Sequence, residues 1–238
     1  MSRIAIVAAL EREVRPLIKK WSSSDKEYGG RNFRFFENVG TVVVCGGIGA
    51  ESARRAAEAI IALYQPQMIY SVGFAGALDQ TLRIGDTLQP RRVVNAADGS
   101  SVDLGQGAGV LVTFGAVASA AQKARLRESF SATAVDMEAA AVARAAEARG
   151  IGFGVLKVIS DDATFTFPAL EQFVGPDGRF SESRFALFVA LRPWLWAQVA
   201  RLAQNSRRAS RLLCEHLRKL ENGLVPAPAT AQQGVNRR

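Results

Sequence analysis

Three acidic clusters and one glycine-rich loop hold the residue types from which this sequence could build chemistry. In Ala134-Val135-Asp136-Met137-Glu138-Ala139-Ala140, two carboxylates bracket a methionine where an apolar strand pattern gives way to a helical one. Val158-Ile159-Ser160-Asp161-Asp162 closes a later apolar run with a hydroxyl and two more acids, and Glu11, Arg12 and Glu13 follow the first apolar run directly. Val44-Cys45-Gly46-Gly47-Ile48-Gly49-Ala50 passes from strand through glycines into helix, an arrangement in which backbone N–H groups approach an anion or a sugar hydroxyl. The one histidine, His216, sits in a basic helical pattern near the end, and Cys45 and Cys214 lie far apart in dissimilar surroundings. That argues against a Ser-His-Asp triad, a Cys-His pair, a His-rich metal site and a disulfide framework. Catalysis then rests on carboxylates, Lys, Arg and backbone donors, and the sequence calls for no metal and no cofactor.

Each cluster also has a plain structural explanation. Asp136, Met137 and Glu138 suit a helix N-terminus, where exposed N–H groups and the dipole favour acids. Ser160, Asp161 and Asp162 suit a capped turn, Glu13 a solvated first-turn acid, Met137 a core residue, and the glycines tight strand-to-helix turns. A dinucleotide site is disfavoured, because the strand after the glycine loop ends in Val72-Gly73-Phe74-Ala75-Gly76 rather than in an acid.

The elements that must position these residues are legible as alternating strands and helices. Residues 3–9 form a β-branched and alanine run, uncharged after Arg3 and typical of a strand buried on both faces, and residues 11–21 show helical spacing at Val14, Leu17 and Ile18. A hairpin is expected over 32–38 and 41–45, a helix over 51–64, and a buried strand over 68–72 ending at the glycines. Short strands between glycine-rich turns follow over 93–113. Helices are expected over 118–130 and 137–149, a strand over 153–159, and helix from residue 181 with a break at Pro193. This alternation predicts a mixed or parallel sheet covered by helices on both faces, with the site at the carboxyl ends of strands.

At 238 residues, 48% hydrophobic and 22% charged, one catalytic domain plus a tail is expected. The domain is placed at 1–203, a basic helix at 204–221 and a disordered tail at 222–238. The opening apolar run has no small-residue cleavage site, and residues 185–203 are interrupted by Arg192, Pro193 and Arg201, so neither a signal peptide nor a membrane span is expected and the location is read as cytoplasmic. The net charge of +8 is uneven: residues 184–238 hold 10 of the 30 Lys and Arg but only 2 of the 22 Asp and Glu. Any acidic partner therefore concerns the tail, which lacks the interleaved aromatics of a specific nucleic-acid binder. There Arg201, Arg208, Arg211 and Arg218 share one helical face, and Leu202, Ala209, Leu213, Leu217 and Leu220 supply the apolar side. One expectation is packing on the domain or a second subunit; the other adds Trp194 and Trp196 and takes the helix as a peripheral contact with anionic membrane.

In five segments taken in order, the sequence resembles the nucleoside phosphorylase superfamily, and within it the methylthioadenosine and S-adenosylhomocysteine nucleosidases. They are the opening Ile4 to Val14 run, Gly47-Ile48-Gly49, Val72-Gly73-Phe74-Ala75-Gly76-Ala77-Leu78 with Ile84-Gly85-Asp86, Asp136-Met137-Glu138, and Ile159-Ser160-Asp161. The resemblance implies a three-layer nucleoside phosphorylase-like fold with a central twisted mixed sheet flanked by helices, and a homo-oligomer, a dimer. It implies cleavage by water of the N-glycosidic bond of a purine nucleoside, adenine by preference, with a 5′ substituent. Asp161 matches the general acid at purine N7, and Ser160 in the same matched segment is a candidate substrate-binding residue. Glu138 matches the carboxylate that grips the ribose hydroxyls, Met137 the residue under the sugar, and Glu13 the carboxylate that deprotonates the attacking water. Asp136 and Phe74 stand where the family has Glu and Ser, Lys157 stands where it has Arg and could hold water or phosphate, and Val117 and Ala118 align with the base pocket. The stretch from Leu78 to Val117 is about thirty residues shorter than in the nucleosidases, which suits a bulkier 5′ group. The alternatives carried are phosphorolysis of a purine nucleoside or of a lipid-linked adenosine such as adenosylhopane, and a degenerate nucleoside-binding or scaffold protein without catalysis.

Overall fold

The computed structural model describes residues 4–165 and 192–221 and, between them, residues 170–173, 175, 178, 181, 184, 185, 188 and 189. The tail at 222–238 and much of the helix expected from residue 181 lie outside the described residues.

β1 (Ile4–Ala8) shows why the chain builds three layers. Ala5 and Val7 pack toward α2 (Ala50–Tyr64) and α4 (Ala139–Glu147), while Ile6 and Ala8 pack toward α1 (Glu11–Ile18) and α5 (Trp196–Glu221). Alternate side chains of a strand point to opposite faces, so an uninterrupted apolar run needs a helical layer on each side. β4 (Thr41–Cys45) and β5 (Met68–Ala77) flank β1 in parallel, and β2 (Ser22–Tyr28), β3 (Arg31–Asn38) and β4 form an antiparallel meander beyond it. On the other side β10 (Ala134–Asp136) lies antiparallel to β5, then β9 (Val110–Thr113), β7 (Arg92–Asn95) and β8 (Ser101–Asp103) complete the row, while β11 (Gly152–Asp161) pairs with β5 and β6 (Thr87–Leu88). The described residues thus form one mixed sheet of eleven strands, with α3 (Ala120–Phe130) packing Leu126 onto Val112 and Val135 near its edge.

Three departures from expectation matter for the site. β5 does not end at its glycines: Gly73 to Ala77 continue the strand, paired to β11 and then to β10. β11 carries a register shift between Ile159 and Asp161, so that Ile159 faces Ala75, Asp161 faces Gly76 and Ser160 is the extra residue of a bulge. The basic helix anticipated at 204–221 begins at Trp196, after a 3-10 turn at Pro193–Leu195, and runs unbroken for 26 residues. Its Ala209, Leu213, Leu217 and Leu220 are buried against Ile6, Val14 and Val43. Among the described residues no helix is long and apolar enough to cross a membrane.

Candidate active site

Glu13 enters the site from the first turn of α1. Leu10 N donates to its Oε2 at 3.3 Å, and burial pushes the carboxyl above its usual range against the opposing pull of Lys157 and Arg12. Pro16 inside α1 has no N–H to give the Arg12 carbonyl. Ser210 of α5 supplies an O–H donor instead: its hydroxyl lies 3.1 Å from Arg12 O and 3.0 Å from Glu13 O, which ties the C-terminal helix to the turn bearing the acid. Gly73 makes room on the other side. Its φ of +132° suits glycine, and a Cβ there would stand 2.7 Å from Glu13 Oε2.

Asp161 is aimed by the bulge in β11. Ser160 Oγ donates to its Oδ1 at 2.7 Å, and Lys123 Nζ donates to its Oδ2 at 2.5 Å and to Asp162 O at 2.6 Å. Gly76 faces this group across the ladder, where a Cβ would come within 2.8 Å of Asp161 Oδ2. Lys123 lines the cleft and pairs with Asp161, a placement that sequence reasoning missed. Its signal was slight: a lysine one turn before Leu126 on the face of α3 that is buried.

Glu138 and Asp136 are held by different partners. Asp136 accepts from Thr113 Oγ1 at 2.7 Å and from Ala139 N at 2.9 Å, with Lys157 Nζ 2.9 Å away. Glu138 Oε1 accepts from Gly49 N at 2.9 Å, at the start of α2, where the helix dipole favours an anion. Burial raises the Glu138 carboxyl to about 7; Lys157 opposes this and Asp136 adds to it. Lys157 is 1% exposed, lies 4.0 Å from Glu138 and donates to Val72 O at 3.4 Å. It sits beneath the acids as their counter-charge, away from the cleft wall where water or phosphate would bind. The glycine loop likewise serves the protein itself: Gly46, Gly47 and Ile48 N–H groups donate to Ala8, Ala9 and Gly178 carbonyls.

The three acids converge on one cleft of about 1350 Å³, whose wall includes Glu13, Ile48, Phe74, Met137, Glu138 and Asp161. Asp136, Ser160, Val117 and Ala118 also line it, the last two on the segment entering α3. Of the residues singled out in the sequence, Gly47, Gly49 and Lys157 stand behind the wall. Phe74 presents an apolar ring to the cleft, packed against the α1/α5 layer. Carboxylates converging on a walled cleft, one of them beside a buried ammonium, can deliver a proton, hold hydroxyls and accept a proton from water.

The chain matches known proteins in sequence and in fold. The sequence model of the phosphorylase superfamily matches residues 3–116 and 106–183. The chain is similar to the aminodeoxyfutalosine nucleosidase of Campylobacter jejuni, 26% identical over 199 residues covering 68% of this chain and 87% of that one. It is also similar to the 5′-methylthioadenosine/S-adenosylhomocysteine nucleosidase of Staphylococcus carnosus, 26% identical over 221 residues covering 75% and 95%. In three dimensions it resembles the S-adenosylhomocysteine nucleosidase of Streptococcus pyogenes solved with 5-methylthiotubericidin, with a TM-score of 0.69 at 19% identity, covering 94% of this chain and 98% of that one.

Proposed function

The chain belongs to the phosphorylase superfamily, and from that premise we propose that it hydrolyses the N-glycosidic bond of an adenine nucleoside bearing a 5′ substituent. The observation that carries the proposal is the convergence of Glu13, Glu138 and Asp161 on one cleft. The C1′–N9 bond breaks with its electron pair going to the base, while Asp161, starting in its protonated form, gives its proton to purine N7 and is left as the carboxylate that pairs with Lys123, which makes the base a better leaving group. Positive charge grows on the ribose ring, beside the Glu138 carboxylate that grips the hydroxyls and is itself fixed by Gly49 N. Water bonded to Glu13 loses its proton to that carboxylate as its oxygen joins C1′. Met137 packs under the sugar, and Val117 and Ala118 border the base.

Two features favour water over phosphate as the nucleophile. A phosphate dianion at this position would face Glu13, and the N–H groups of the glycine loop are occupied by protein oxygens. Incubating the enzyme with methylthioadenosine, with and without phosphate, tests the proposal. Adenine and the free methylthioribose sugar should form at a phosphate-independent rate. A sugar 1-phosphate would overturn hydrolysis, and the absence of any cleavage would overturn the enzyme.

A second reading concerns the surface. Trp194 and Trp196 are 73% and 56% exposed beside the basic helix α5, a placement that suits peripheral contact with an anionic membrane.

A further inference from the structure

Three buried carboxylates share the Lys157 ammonium, and they share it unequally. Lys157 Nζ lies 2.9 Å from Asp136 Oδ2 but 4.0 Å from Glu138 Oε2, and Glu13 feels its pull as well. Asp136 is also the best supplied with other donors. Thr113 Oγ1, itself fixed by Ala140 N at 3.0 Å, and Ala139 N at the start of α4 both donate to it. Glu138 has Gly49 N at 2.9 Å and Met137 N at 3.3 Å. The side chains of Asp136 and Lys157 are 0% and 1% exposed, so neither reaches a nucleoside lying in the cleft.

What these two residues do reach is the charge of Glu138. An anion beside a carboxyl makes its ionisation harder, and a cation makes it easier. Burial and Asp136 both push the Glu138 carboxyl up, and Lys157 pulls it down. Of the other charged groups, Glu13 of α1 also pushes it up, and Arg12 acts on Glu13; Asp161 and Lys123 on the cleft wall are paired with each other. Because Asp136 takes the closer, hydrogen-bonded place on the ammonium, Glu138 receives only part of its support.

We propose that Asp136 and Lys157 are positioning residues for catalysis: by holding the shared ammonium off Glu138, Asp136 sets the pH at which Glu138 becomes the anion that grips the ribose hydroxyls. The inference rests on the nucleosidase activity proposed above and deepens it. In acid Glu138 is neutral, and the growing sugar cation lacks the anion beside it. With Asp136 absent, the ammonium would bring that anion into being at lower pH.

The test uses the full chain, methylthioadenosine and two substitutions that push in opposite directions. Asp136→Asn keeps the size of the side chain and an oxygen for Ala139 N while removing the anion that competes for the ammonium. The rise of kcat/KM with pH should then move down by at least about one pH unit, the lower range for a charge this close. Lys157→Met removes the ammonium and keeps an apolar stem, and the rise should move up by a similar amount. Residues that served packing alone would lower kcat/KM at every pH and leave its pH dependence in place. A rise unmoved in Asp136→Asn, or moved in the same direction by both substitutions, would overturn the inference. If one of the two variants does not fold, the other decides alone. Thermal melts give a reading independent of turnover. The share of the pH dependence of stability owed to Glu138 is the difference between each protein with and without Glu138→Gln, and it should end at lower pH in Asp136→Asn than in the wild type. An unmoved difference overturns the inference whatever the assay shows. If methylthioadenosine is cleaved at no pH, the proposed activity falls, and the melts still decide whether Asp136 and Lys157 govern Glu138.

Discussion

At the scale of residues, burial and pairing assign unequal tasks to six charged groups. Glu138 and Asp161 face the cleft with part of their hydrogen-bonding capacity engaged, and Glu138→Gln and Asp161→Asn are each expected to lower turnover by at least about 100-fold in steady-state assays without loss of fold. Lys123→Met removes the ammonium beside Asp161 while keeping an apolar stem, and turnover should fall at least about tenfold, with Lys123→Arg retaining part of it. The raised Glu138 carboxyl has a pH signature. Its ionised form holds the ribose hydroxyls, so kcat/KM should climb as pH rises through about 7, and Glu138→Gln should abolish that limb. Stability runs the other way. The folded state binds the Glu138 proton up to about 7 and the unfolded chain only to about 4.5, so this group's contribution is full at acid pH and lost between those values as pH rises. Glu13, also raised by burial, adds to the same trend. Thermal melts of the wild type and Glu138→Gln across this range check the sign.

At the scale of elements, the acids are placed by glycines and a bulge rather than by loops. Gly73 and Gly76 lie inside β5, and each clears the position of one carboxylate, Glu13 from α1 and Asp161 from β11. Gly73→Ala would have to hold a positive φ and push a methyl into Glu13 Oε2. It is expected to cost about 1–3 kcal/mol of stability, read by denaturant melts, and to displace the acid enough to depress hydrolysis more than substrate binding. β2 was missed in the sequence because Ser22–Tyr28 has no apolar alternation: it is an edge strand, half exposed, whose order comes from the β3 ladder. β5 was read as ending at Gly73 because glycine marks turns far more often than a strand interior beside a site.

At the scale of the whole molecule, α5 closes the fold and lines the cleft at once. One face packs Leu213 and Leu217 into the core, and the next carries Ser210 to the Glu13 turn and Arg207 and Arg211 to the cleft. Three of the arginines read in the sequence as sharing one helical face part company here. Arg211 lines the cleft, Arg208 stands beside Gly85, and Arg218 donates to Pro16 O at 2.6 Å. The two exposed tryptophans lie at the start of this helix, and each basic residue near an anionic surface contributes roughly 1 kcal/mol. Weak co-sedimentation with anionic vesicles is therefore expected, absent with neutral ones, abolished by salt and lost in Trp194→Ala, Trp196→Ala. Equal pelleting with both vesicle types, or with neither, would rule the contact out.

The sequence by itself determined the three-layer architecture, because uninterrupted apolar strands such as Ile4–Ala8 require helices on both faces and the alternation of elements supplies them. It also named the acids, since Asp136-Met137-Glu138 and Ser160-Asp161 are local patterns that keep their character wherever they are read. What only the tertiary structure decided is how charge is shared among residues distant in the chain. Asp136 is satisfied by Thr113 and Lys157, Glu138 by Gly49, and Asp161 by Lys123, separations of 21 to 89 residues that no local spacing encodes. The union of α5 with α1 belongs to the same class: the two helices lie near opposite ends of the chain, and only tertiary packing brings Ser210 to the Arg12 and Glu13 carbonyls.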